Sequence, residues 1–192
     1  IDLAGTVVTS DVGELSEGDA VLVNGCGLSE TRDGGYAEYA RVPADAVVPI
    51  PGGLTPAQTM QIGTAGFTAA LAIHRMEQNG QRPDGGPVVV TGATGGVGSL
   101  AIDMLASRGY EVFALTGKPE QSGYLERIGA TRVLIRGDVD YGKRPMEKAR
   151  WAGAIDNLGG EALAWLTRTV DYGGNIASVG LAAGHELSTT VM

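Results

Sequence analysis

The chain has 192 residues, a length that suits one large domain or two small ones. Apolar residues make up 43% of it and charged residues 19%, which predicts a globular protein with a packed core and no membrane span. The formal net charge of -8, with no cluster of Lys or Arg, argues against a nucleic-acid partner. The single cysteine, Cys26, excludes an internal disulfide and fits the reducing cytoplasm, where we expect the protein to reside.

The first part of the chain favours β-structure. Short apolar runs separated by Gly, Asp and Asn predict strands at 5–8, 20–23 and 37–42. Pro51-Gly52-Gly53 then interrupts this pattern, and Thr55-Pro56 is typical of a helix start. A different organisation therefore begins here.

From residue 63 onward, strand and helix patterns alternate. Strands are predicted at 87–91, 111–115, 131–135, 151–155 and 175–179. Helices are predicted at 65–76, 96–108, 121–128, 145–149 and 161–170. Strands joined by helical crossovers indicate an α/β fold with a doubly wound parallel sheet, so we divide the chain into residues 1–62 and 63–192.

A glycine-rich turn follows the first strand of this series. It has the sequence Thr91-Gly92-Ala93-Thr94-Gly95-Gly96-Val97-Gly98 and opens the next predicted helix. Such a turn suits a pyrophosphate, because its N–H groups and the helix N-terminus attract phosphate oxygens. Ala93-x-Gly95-x-x-Gly98 is the dinucleotide fingerprint with Ala in first place, although glycines also serve helix packing alone.

The second strand of the series indicates which dinucleotide is bound. It ends at Thr116-Gly117-Lys118 without an acidic residue, so a hydroxyl, a backbone N–H and an ammonium could bind an adenosine 2′-phosphate. Arg136, after the third strand, is a second candidate cation. We therefore predict NADP(H) as the cofactor; the alternative for Lys118 and Arg136 is that both are ordinary solvated charges.

The same turn also fits short-chain dehydrogenases, which need a Tyr-x-x-x-Lys pair for proton transfer. No tyrosine of this chain has a lysine four residues later: Tyr36, Tyr39, Tyr110, Tyr124, Tyr141 and Tyr172 all lack it. In that family the turn would also open the chain. We therefore set this alternative aside.

Four segments together carry a family resemblance. Ile1-Asp2-Leu3-Ala4-Gly5-Thr6-Val7, Ile62-Gly63-Thr64-Ala65-Gly66-Phe67-Thr68-Ala69, the glycine turn and Trp151-Ala152-Gly153-Ala154-Ile155-Asp156 resemble zinc-free medium-chain dehydrogenases/reductases, in particular the acryloyl-CoA reductase group of quinone-oxidoreductase-like enzymes. The resemblance implies a Rossmann domain preceded by part of a GroES-like β domain. It also implies that the family's first strands and its last quarter lie outside this chain.

The resemblance further implies a reaction and a cofactor site. The reaction is hydride transfer from NADPH to the β-carbon of a 2-enoyl thioester such as acryloyl-CoA, and the complete protein would be a homodimer. The implied NADP(H) contacts are Thr94, Gly95, Gly96 and Val97 for the pyrophosphate, Thr116, Gly117 and Lys118 with Arg136 for the 2′-phosphate, and Thr64 for the nicotinamide. Thr64 could equally cap its helix. No residue stands out as a general acid, so the catalytic residues stay unassigned.

Zinc-dependent relatives carry Gly-His-Glu where this chain begins Ile1-Asp2. The remaining candidate ligands, His74, His185 and Cys26, are too few and too scattered for a tetrahedral site, so we expect no metal. Two other functions stay open. The first is reduction of a quinone or a free enone, and the second is NADP binding without turnover.

Overall fold

The computed structural model describes residues 2–145 and 147–189. It divides into two compact units, Ile1–Phe67 (unit 1) and Thr68–Met192 (unit 2).

Unit 1 contains an antiparallel sheet of three short strands. These are β1 (Leu3–Thr6), β2 (Ala20–Val23) and β3 (Val48–Pro49), in the order β1-β2-β3. A 3-10 helix at Ala44–Ala46 precedes β3. The core of this unit is small and centres on Val23, Leu28 and Ala46. The strand predicted at 20–23 is confirmed, and the one at 5–8 overlaps β1.

The prediction of a strand at 37–42 is wrong. Residues 37–39 form bends, and residues 37–42 pair with no strand in the described chain. Tyr36 and Tyr39 are 90% and 77% exposed, so the run buries too little surface to hold an extended strand in place. The third strand is β3 instead, which pairs Val48 with Leu22.

Helix α1 (Pro56–Gln78) includes the helix predicted at 65–76 and starts earlier. Thr55 and Gln58 form a capping box: the N–H of Gln58 donates to Thr55 Oγ1 at 3.2 Å, and the N–H of Thr55 donates to Gln58 Oε1 at 2.9 Å. The helix is broken at Gly63, with φ 51° and ψ -158°, a conformation open essentially to glycine alone. The start signal at Thr55-Pro56 is thus confirmed.

Unit 2 is built on a parallel sheet of five strands. They are β4 (Val88–Thr91), β5 (Val112–Thr116), β6 (Arg132–Ile135), β7 (Trp151–Asp156) and β8 (Val170–Ser178), in the order β6-β5-β4-β7-β8. Among the described residues, the other α-helices are α2 (Gly96–Ser107), α3 (Ser122–Arg127) and α4 (Gly160–Thr169). All neighbouring strands are parallel, which confirms the doubly wound sheet.

The strand order contains one reversal. The chain moves from β4 outward to β6 and then returns to place β7 on the other side of β4. The carboxyl ends of β4 and β7 therefore flank the topological switch point, where folds of this class bind ligands.

Apolar side chains cover both faces of this sheet. One cluster joins Ile73, Ile102 and Leu105 to β4 and β5, and the other gathers Trp151 and Trp165. Within the described chain, the helices lack the combination of length and apolar character that a membrane crossing requires.

Two predictions in unit 2 need correction. The helix predicted at 145–149 is absent among its described residues, and Met146 lies outside them. The Glu147 carboxylate instead accepts hydrogen bonds from the N–H and the guanidinium of Arg144 at 3.1 and 3.2 Å. Strand β8 begins directly after α4 at Val170, earlier than the predicted 175–179.

We expect Ile102→Ala to lower the free energy of unfolding of unit 2 by about 2–5 kcal/mol, because Ile102 is fully buried between α2 and the sheet. Urea denaturation followed by the fluorescence of Trp151 and Trp165 measures the loss. The matched control is Asp103→Ala at the neighbouring exposed position, with a change of at most about 0.5 kcal/mol. Equal losses in the two variants would contradict this packing.

Candidate functional site

The glycine-rich turn connects β4 to α2 at the switch point. Its geometry depends on Gly98, which is buried directly against the start of the turn. A Cβ atom at this position would overlap the carbonyl oxygen of Gly92 and lie 2.9 Å from Ala93 Cα. The N–H of Ala93 donates to the Leu115 carbonyl at 3.1 Å, which ties the turn to β5. The first turn of α2 can therefore lie on the strand end only with glycine at 98.

The start of α2 presents unpaired donors. Gly95 occupies the cap position without a side-chain cap, and Gly95 and Gly96 are exposed. No carbonyl of the described chain accepts a hydrogen bond from the N–H of Gly96, Val97 or Gly98. These donors and the positive end of the helix dipole suit a diphosphate. The turn thus fits the dinucleotide predicted for it.

A second group of residues lies where β5 and β6 end. Thr116 is 2% exposed, and its Oγ1 accepts the N–H of Lys118 at 3.0 Å, so this hydroxyl shapes the turn. The Arg136 guanidinium packs on Gly117, 3.4 Å from where a Cβ of that residue would stand. Lys118 and Arg136 are both exposed, and residues 116–118 contain no carboxylate. The structure thus brings Arg136 to the end of β5.

Thr64 lies in unit 1, directly after the break in α1. Its N–H donates to Asp2 Oδ2 at 2.8 Å, and its hydroxyl lies 2.8 and 2.7 Å from the two Asp2 oxygens. The N–H of Gly25 donates to Asp2 Oδ1 at 3.0 Å. The Asp2 carboxylate therefore caps the second part of α1, and its negative charge suits a helix N-terminus. Sequence reasoning missed this role, because no local pattern marks it.

The pKa of Asp2 is shifted by these contacts. Partial burial acts to raise it, but hydrogen bonds from Gly25 and Thr64 help to hold the pKa below its usual value of 3.8. The stabilisation from Asp2 is therefore fully present above that value and is lost as the pH falls through the lower, folded-state pKa.

A buried pair of polar residues joins the two strands of the switch point. Thr91 Oγ1 donates to Asp156 Oδ1 at 2.6 Å, and both residues are 0% exposed. Sequence reasoning assigned no role to Asp156. The sequence did contain a signal for such a role, because Asp156 places a carboxylate directly after the apolar run of β7.

Within residues 2–145 and 147–189, no three His, Cys, Asp or Glu side chains gather where they could hold a metal ion. His74 lies exposed on α1, and His185 and Cys26 lie exposed in loops.

The reversed parallel sheet and its glycine turn define a Rossmann-type dinucleotide-binding domain. The family model described as zinc-binding dehydrogenase matches residues 96–192. The chain belongs to this family of medium-chain dehydrogenases/reductases, which confirms the resemblance found in its sequence.

Two relatives align with the whole chain. The putative quinone oxidoreductase YhfP of Bacillus subtilis is 50% identical over 192 residues, 100% of this chain and 58% of that protein. The acrylyl-CoA reductase AcuI of Ruegeria pomeroyi is 47% identical over 193 residues, again 100% of this chain and 58% of that protein. The chain thus spans less than two thirds of these relatives.

Solved structures agree in fold. The yhdH oxidoreductase of Salmonella enterica in complex with NADP has a TM-score of 0.95 at 48% identity, over 100% of this chain and 59% of that one. YhfP with NAD bound has a TM-score of 0.95 at 49% identity, over 99% of this chain and 58% of that one.

We expect Asp2→Asn to lower the free energy of unfolding of unit 1 by about 1 kcal/mol at neutral pH, because the variant loses a charged cap. The difference from wild type shrinks once the pH falls below 3.8, where the Asp2 carboxylate is itself progressively protonated. Urea unfolding followed by far-UV circular dichroism at several pH values measures this. Asp11→Asn, at an exposed loop position, is the control without an effect. A difference that persists unchanged in acid would contradict the capping role.

Proposed function

We propose that the whole protein is an NADPH-dependent, zinc-independent oxidoreductase that reduces the C=C bond of a 2-enoyl thioester such as acryloyl-CoA. The main observation in favour of NADP(H) is that the Arg136 guanidinium packs on Gly117, next to Lys118. A guanidinium and an ammonium at the end of β5 favour the extra phosphate of NADP(H). The 47% identity to an acrylyl-CoA reductase supports the substrate class.

Each predicted contact has a part in this proposal. Thr94, Gly95, Gly96 and Val97 would hold the pyrophosphate through their backbone, with the dipole of α2 adding to the attraction. Thr116, Gly117 and Lys118 would bind the 2′-phosphate, and the Thr116 hydroxyl also holds their turn in shape by accepting the Lys118 N–H.

When bound, NADPH supplies the hydride that adds to the β-carbon of the enoyl thioester, and a proton at the α-carbon completes the saturated acyl-CoA. Thr64 remains our candidate for a residue beside the nicotinamide, held in place by Asp2. No described residue is assigned as the proton donor.

Several expectations stay predictions. These are the division into part of a GroES-like domain (1–62) and a Rossmann domain (63–192), a homodimeric assembly, and a cytoplasmic location.

Among other functions, the 50% identity to a putative quinone oxidoreductase favours reduction of a quinone or enone. NADP binding without turnover is the third candidate.

We expect the full-length protein to oxidise NADPH rapidly with acryloyl-CoA and slowly with a small quinone such as 1,4-benzoquinone. NADPH absorbance, followed under identical conditions, measures both rates, and a chelator added to the assay should leave them unchanged. Faster turnover of the quinone would favour the second function. Tight NADPH binding with no oxidation by either substrate would favour the third.

We expect Lys118→Glu to weaken NADPH binding by about tenfold to a hundredfold, because a carboxylate would then face the 2′-phosphate. Binding of NADH, which lacks this phosphate, should change little. Fluorescence titration with both nucleotides measures the effect, and Lys148→Glu reverses an exposed charge elsewhere in unit 2 as the control. An unchanged preference in Lys118→Glu would show that Lys118 does not contact the 2′-phosphate.

A further inference from the structure

Asp156 is a buried side chain whose oxygens bind two different turns. Oδ1 accepts hydrogen bonds from the Thr91 hydroxyl at 2.6 Å and from the N–H of Leu158 at 3.3 Å. Oδ2 accepts the N–H of Gly159 at 2.8 Å. Three donors thus point at two oxygens, which suits a carboxylate and no other side chain of this size.

The contact between Thr91 and the turn after β7 is reciprocal. The Thr91 hydroxyl accepts the N–H of Asn157 at 2.9 Å, and the Asn157 side-chain amide donates to the Thr91 carbonyl at 2.7 Å. Thr91 is the residue from which the glycine turn departs. The two turns at the switch point are therefore joined by a set of buried and partly buried hydrogen bonds, and a buried member is costly to leave unpaired.

The loop after β8 rests on the same turn. The N–H groups of Val179 and Gly180 donate to the Asp156 carbonyl at 2.8 and 3.1 Å. The N–H of Ala183 donates to the Leu158 carbonyl at 2.8 Å. A displacement of Asp156 would therefore also move the loop after β8.

The strand order indicates which half of the dinucleotide lies near the hydrogen bonds of Asp156. The adenosine half belongs with the ends of β5 and β6, where Lys118 and Arg136 lie. The pyrophosphate belongs with α2 at the switch point, so the nicotinamide half extends towards β7 and β8. Asp156 lies at the end of β7 and supports the turns on that side.

We infer that Asp156 is a positioning residue for the nicotinamide half of the cofactor, an inference that rests on the proposed function. Its carboxylate holds the turn at residues 157–159 at a set distance from the glycine turn. It also fixes the base on which the loop after β8 lies. The adenosine half gains nothing from this contact, because its contacts lie beyond β5.

Asp156→Asn tests this inference in the full-length protein. The asparagine keeps the size of the side chain but turns an NH₂ group towards at least one of the donors, so the turn at residues 157–159 shifts. Two probes are titrated: NADPH, and 2′,5′-ADP, which carries the adenosine half alone. We expect the affinity for NADPH to fall by about tenfold or more and that for 2′,5′-ADP to change less than about twofold. At saturating NADPH, kcat with acryloyl-CoA should fall while the KM for acryloyl-CoA stays constant.

Three further variants serve as controls. Thr91→Val removes the hydroxyl and should repeat the pattern of Asp156→Asn, also if Asp156→Asn itself fails to fold. Thr91→Ser keeps the hydroxyl and should restore the wild-type affinity for NADPH. Lys118→Glu should give a different pattern, with weaker binding of both probes, because Lys118 lies on the side of the adenosine half.

Equal losses of NADPH and 2′,5′-ADP affinity in Asp156→Asn and Thr91→Val would overturn the inference, because the contact would then serve the fold alone. Unchanged affinities in both variants would overturn it as well. A wild-type protein that binds neither probe would refute the proposed function itself. That outcome is distinct, since it is seen before any substitution is made.

Discussion

The first turn of α2 rests on the carbonyl of Gly92, and the candidate site depends on this contact. Because residue 98 has no side chain, the helix begins close to the end of β4. The first N–H groups of the helix have no intrahelical partner and stay unpaired. The bond from Ala93 to Leu115 holds the turn over the sheet. The reversal of strand order then places these donors at the carboxyl ends of β4 and β7.

Most of the fold of unit 2 could be predicted from the sequence, because its central strands β4, β5 and β7 are buried on both faces and are therefore largely apolar runs. β4 is such a run, and all four of its residues are buried. The failures occurred where structure depends on distant partners. Residues 37–42 resemble a strand but pair with no strand among the described residues, and Glu147 binds Arg144 where a helix was predicted.

In the candidate site too, the sequence predicted the residues that form local patterns and missed those that depend on distant partners. The glycine turn and the residues after β5 are contiguous in sequence and could be recognised locally. Arg136 was predicted from its place after the third strand, since parallel strands bring such ends together. Asp156 and Asp2 were missed because each acts on a residue far along the chain, at separations of 65 and 62 residues. A contact between two residues so far apart leaves no periodic pattern in the sequence.

The position of Asp2 has a consequence for how unit 1 is held together. The Asp2 carboxylate, just before β1, accepts hydrogen bonds from the segment after β2 and from the middle of α1. Three stretches of backbone that are distant in sequence are therefore linked through one side chain. Closing such loops costs chain entropy that is recovered only when all of the contacts are in place. The end of the sheet and the break in the helix should therefore form, and be lost, as one cooperative event rather than in succession.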